Sequence, residues 1–258
     1  MTIAHDLPTR RAALGLFGQA GFFFASSSAD SAVDDRLVDG DLEKFKRSLA
    51  AAPRRRSFRS VPLVVVTKEN WDHEAAGLVL AYGNRARQAW ECTELGGPWL
   101  NLMREAVNGQ VFALDNPGFL AVAAVHGTAH LALFDESAWE THGLSRLAGG
   151  AASENIYASP NMHVSSLDSL QDPRGYYGPD NNNISTLQER GVVFIACHDS
   201  IHAIARNICR IDRGDTSGCD ELAAELTNHL IPGAVMVPSV VAFLVELQRV
   251  GFTYAKGT

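Results

Sequence analysis

Two segments constrain the fold of this chain most: Phe119-Leu-Ala-Val-Ala-Ala-Val125 and Val192-Val-Phe-Ile-Ala196. Each is an unbroken apolar run, too short for a packed helix and without the polar alternation of a strand that faces water. A strand reads this way when both of its faces are covered, which is the condition of parallel sheets. Each run also passes directly into a segment of helical pattern, through His126-Gly127 in the first case and Cys197-His198 in the second. Strands alternating with helices predict an α/β fold, a mainly parallel sheet with helices on both faces.

The remaining pattern fills out that plan. Pro62-Leu-Val-Val-Val-Thr67 is β-branched and reads as the first core strand. Residues 73–92 have helical spacing, and a second helix over 98–107 opens at Pro98. The strand ending at Ala196 leads into a helix that reaches about Cys209. A helix over 220–230, a strand over 234–237 and a helix over 239–250, closed by Gly251, complete a core domain of residues 61–258. Residues 143–183, before the third core strand, are rich in Gly, Ser, Asn and Pro and form a long insertion. Such a segment is a lid, a partner surface or disordered, and Tyr157, Tyr176 and Tyr177 argue against full disorder. Residues 30–60 read as a loosely attached polar arm with one amphipathic stretch, Leu42, Phe45 and Leu49.

Composition excludes several classes. A net charge of -7 disfavours nucleic-acid binding, which needs a basic surface. The one basic cluster, residues 53–59, reads as a solvated linker. Neither a Gly-x-Gly-x-x-Gly loop nor a Walker pattern is present, and the four tryptophans read as packing residues. Four cysteines are too few for a disulfide scaffold, and none forms a Cys-x-x-Cys pair. Cys209 and Cys219 are close enough in sequence to pair across a short loop in an oxidising compartment.

The N-terminus resembles an export signal. Thr9-Arg-Arg-Ala-Ala-Leu14 is similar to the twin-arginine consensus. The mildly apolar run to Phe24 falls short of the roughly 18 residues that span a bilayer. Ala25-Ser-Ser-Ser-Ala29 supplies small residues for a signal peptidase, with cleavage after Ala29. The resemblance implies that residues 1–29 are a signal peptide. It further implies that the folded protein leaves through the twin-arginine (Tat) machinery to the periplasm, with no permanent membrane span.

A second resemblance rests on three features. They are the strand ending in His126-Gly127, the strand ending in Cys197, and the closing Val237-Pro-Ser-Val-Val…Leu247-Gln…Gly251-Phe-Thr-Tyr-Ala-Lys256. Together they resemble the DsrE/DsrF-like family, with Val240 where that family has Gly. The resemblance implies a flavodoxin-like three-layer fold, homo-oligomers, and a strand-end cysteine, here Cys197, that carries sulfur as a persulfide.

In parallel sheets ligands gather at the carboxyl ends of the strands, which here selects Thr67–His73, His126–His130 and Cys197–His202. The last two are His-x-x-x-His pairs, and on a helix that spacing puts two imidazoles on one face. Convergence of His126, His130, His198 and His202 with Cys197 would suit zinc, copper or iron. Asp199, Met162 and His163 are the further donors within reach of such a pocket. Cys197 at a helix N-terminus is also a candidate nucleophile, with His198 beside it. The sequence thus predicts an exported Cys/His protein acting on a small sulfur-containing or redox substrate. Its alternative is a non-catalytic oligomeric protein of binding or assembly.

Overall fold

A computed structural model describes residues 39–150, 152–159 and 163–258. The predicted export signal lies outside the described residues. Five strands form one all-parallel sheet: β1 (Arg87–Cys92), β2 (Leu120–Val125), β3 (Val193–Cys197), β4 (Val235–Val237) and β5 (Thr253–Lys256). Their order is β4-β3-β2-β1-β5. The chain thus steps outward from β1 to β4, then returns to place β5 on the far side of β1.

Helices cover both faces, as the apolar runs predict. Ala121, Ala123 and Val125 of β2 point to one face, packed by α3 (Trp99–Asn108), α4 (Glu136–His142), α5 (Ile184–Glu189), α6 (His198–Arg213) and α7 (Cys219–Asn228). Leu120, Val122 and Ala124 point to the other, under α1 (Gly40–Ala51), α2 (His73–Leu80) and α8 (Val240–Arg249). That alternation along a fully buried strand is the two-residue period of extended chain. None of the described helices is long and apolar enough to cross a membrane.

Three sequence expectations are corrected. Residues 62–67 are not a strand, and Leu63, Val64 and Val66 are 50%, 70% and 82% exposed. The positions beside β1 and β4 that an early strand would take are already filled. β1 occupies the flank of β2, and Asp72 caps the outer edge of β4. The Asp72 backbone N–H donates to the Met236 carbonyl at 3.0 Å, and its carboxylate accepts the Met236 N–H at 2.8 Å. The helix expected over 73–92 stops at Leu80, and its second half is β1. The arm is not loose over residues 39–60. Leu42 and Phe45 are buried, Asp39 caps α1 by accepting the Asp41 and Leu42 N–H groups, and Arg54 and Arg56 donate to the Ala234 carbonyl.

The insertion is tied down where it is described. Arg104 of α3 donates to Asn182 and to the Tyr177 carbonyl, Asn155 donates to the carbonyls of Ala132 and Phe134, and Tyr176 is buried.

Candidate functional site

The strand order reverses once, between β1 and β5, and ligands in open parallel sheets gather at the carboxyl ends beside such a reversal. Glu91 is the penultimate residue of β1 and stands opposite Lys256 of β5. The Glu91 carboxylate accepts from the Tyr254 hydroxyl through one oxygen and pairs with His126 Nε2 at 3.1 Å through the other. These partners hold the Glu91 carboxyl below the usual carboxylate range, the Tyr254 hydrogen bond contributing most and the His126 bond less. The same bond pushes the Tyr254 hydroxyl up, because ionising it would set two anions together.

His126 takes this position because of the residue after it. Gly127 has φ +59°, and a Cβ there would stand 2.6 Å from the Thr93 carbonyl oxygen. Only glycine lets the chain turn so close to the β1 exit. The turn leaves the His126 ring at the strand end, 22% exposed, aimed across the edge at Glu91.

One strand further, Val125 pairs with Ala196, so His126 and Cys197 are the next residues on adjacent strands. Cys197 belongs to the α8 face with Val193 and Ile195. Its thiol accepts the Val240 N–H at 3.5 Å, which puts the sulfur at the opening turn of α8 as well as at the start of α6. Read across the edge, β3, β2, β1 and β5 present a thiol, an imidazole, a carboxylate, and a phenol with an ammonium.

The other predicted site residues are elsewhere. Residues 127–133 form a 3-10 helix, not an α-helix. With three residues per turn, positions 126 and 130 do not share a face. His130 is fully buried against Phe134, neither ring nitrogen has a partner, and burial pushes it down to about 3. His198 and His202 do share a face of α6, their rings 4.6 Å apart. Yet His198 is turned to the Pro62 carbonyl, with Nε2 at 2.7 Å, and does not serve the Cys197 thiol. Burial lowers the pKa of both.

Thus the four imidazoles and Cys197 do not converge. Among the described residues no three His, Cys, Asp or Glu side chains form a group able to hold a metal ion. The donor set does not fit the zinc, copper or iron centre that the His-x-x-x-His spacings predict. Thr67–His73 is not a ligand-side junction either, since no strand precedes it.

Two hollows flank the sheet. One of about 440 Å³, between α1 and α2, includes Tyr82, Gly83 and Asn84 and so opens at the amino end of β1. The other, about 270 Å³, lies between Gly127-Thr128 and Ala203-Ile204 of α6, beside the carboxyl end of β2. The second is on the ligand side of the sheet. Glu91, Tyr254 and Lys256 carry no role in the sequence reading. Glu91 sits inside the stretch expected to be helical, and Tyr254-x-Lys256 stands there only as part of a terminal signature. The fold is a five-stranded parallel α/β sheet with helices on both faces. Comparison with family models, curated proteins and solved structures returned no match.

Proposed function

We propose that the chain is an exported, DsrE-like thiol protein of sulfur chemistry, with Cys197 as the reactive group and His126 as its proton carrier. The observation that carries this reading is the order across the sheet edge. Cys197 receives the Val240 N–H, His126 is its neighbour on β2, and Glu91 holds the far side of the imidazole. A carboxylate that orients an imidazole one strand away from a thiol is an arrangement able to activate nucleophilic sulfur.

The step is a sulfur transfer without net redox change. His126 takes the Cys197 proton, and the thiolate attacks the terminal sulfur of a donor R–S–SH. The donor S–S bond breaks, R–S⁻ leaves, and His126 returns the proton to give R–SH and a Cys197 persulfide. Cys197 is 3% exposed, so the donor is a small, unhindered persulfide or polysulfide, not a bulky partner. Incubation with inorganic polysulfide followed by peptide mass mapping tests this. One added sulfur on Cys197, lost in Cys197→Ser, is the expected result; an unmodified Cys197 alongside modified Cys92 or Cys209 overturns it.

A second reading, a non-catalytic oligomeric protein of binding or assembly, is favoured by the outer face of α8. Val241 and Val245, one turn apart, are 56% and 52% exposed, and Tyr254 is 46% exposed. Under this reading Val241→Glu lowers the mass seen by light scattering, while Cys197→Ser changes no phenotype.

A further inference from the structure

Away from the strand-end site, α6 and α7 pack along each other, and each contributes a cysteine to the same buried core. Both thiols are buried, and nine exposed residues, 210–218, lie between them, from the last turn of α6 to the start of α7. Neither is engaged by the mechanism above, and both are free thiols in this structure. Cys92 and Cys197 stand on β1 and β3, with β2 between them, and point to opposite faces of the sheet. Cys209 and Cys219 are therefore the pair that the fold brings together.

Access comes from the local structure. Cys219 is the first residue of α7, and every residue from Arg210 to Gly218 before it is exposed. Gly214 and Gly218 take φ +80° and +67°, so the link turns through glycines at both ends. No side-chain cap holds the start of α7. Fraying of that first turn carries Cys219 to solvent while Cys209 stays in the core, and the short link returns it to the same partner.

We propose that Cys209 and Cys219 are a redox-modified pair that closes into a disulfide joining α6 to α7. The oxidant is a small disulfide or a dithiol-disulfide exchange protein. The Cys219 thiolate attacks one sulfur of the donor R–S–S–R, forming a mixed disulfide and releasing R–S⁻. The Cys209 thiolate then attacks the Cys219 sulfur and displaces the second R–S⁻. The protein loses two electrons and two protons, and the donor gains them as two R–SH. Cys219 is a weak nucleophile at neutral pH, since burial and the neighbouring Cys209 thiol push it up to about 11. Attack needs the Cys219 thiolate, so closure accelerates as pH rises.

The full-length chain is incubated with oxidised glutathione, denatured in alkylating agent and mapped by mass spectrometry. The expected result is a Cys209–Cys219 cross-linked peptide with Cys92 and Cys197 alkylated, and a Tm higher than that of the reduced protein by roughly 5 °C. Cys209→Ser and Cys219→Ser each remove the cross-link and the Tm difference between oxidised and reduced samples. Four alkylated cysteines after oxidation, or a cross-link through Cys92 or Cys197, overturns the proposal. The mapping is done on the unsubstituted chain, so a variant that fails to fold does not obscure it.

Discussion

The same side chain is handled in two ways at the ends of neighbouring strands. At β2, His126 is partly exposed and its Nε2 is engaged by Glu91. Beyond β3, His198 and His202 are fully buried, and three of their four ring nitrogens have no partner. A histidine needs water access and an orienting partner to move protons at neutral pH. His126 has both. The buried pair has no water access, and only His198 has a partner, the Pro62 carbonyl, so the pair behaves as packing that carries a latent penalty for protonation. Identical His-x-x-x-His spacings therefore mark two different kinds of site.

The largest test of this contrast is acid stability. His130 is fully buried and held near 3, and the same cause lowers His198 and His202. Between those depressed values and the ordinary 6.5, the unfolded chain binds protons that the folded chain refuses. Stability therefore falls as pH drops below about 6.5, by about 1.4 kcal/mol per pH unit for His130, with His198 and His202 adding in the same direction. Urea titrations should show His130 alone removing about 2 kcal/mol between pH 6.5 and 4.5. A flat profile over that range would mean that the buried histidines have found partners.

At the exposed site the next effect in size is kinetic. His126→Gln should slow persulfide formation on Cys197 by about 100-fold, the usual worth of a positioned proton carrier. Stopped-flow thiol kinetics checks it, and an unchanged rate removes His126 from the mechanism. Glu91→Gln keeps an acceptor for Tyr254 but loses the charge that faces the imidazole. It should slow the reaction about 10-fold while leaving the Tm unchanged, which a purely structural change would not do. The smallest effect belongs to the buried pair. His202→Leu replaces an unpartnered polar ring with an apolar side chain of similar size, so stability at pH 7 should change by less than about 1.5 kcal/mol. Its acid slope should flatten, and sulfur uptake should stay unchanged.

What the sequence reveals follows from burial. β2, β3 and β4 and the helices around them are legible because continuous apolar runs have no other use in a chain of this composition. β1 is hidden by its mixture: Arg87, Gln88 and Glu91 break the run, although Ala89, Trp90 and Cys92 are buried. β5 is an edge strand whose outward residues need no apolar character. The run 62–66 shows the opposite failure, since β-branched residues make a strand only where the chain is led to a partner strand, and here Asp72 takes the backbone of Met236 on β4 instead. At the site, His126 and Cys197 are visible at their strand ends. Glu91 is not, because its role depends on pairing between β1 and β5, which are separated by most of the domain.

That pairing has a consequence for biogenesis. A ribosome makes β1 early and β5 after every other strand, and domains fold from the N-terminus as they emerge. β2, β3 and β4 can assemble on β1 while Glu91 still faces solvent without Tyr254 or Lys256. The full constellation is then the last part of the sheet to exist, and a nascent chain arrested before Thr253 holds the thiol, the imidazole and the Glu91 carboxylate without the phenol that engages its second oxygen.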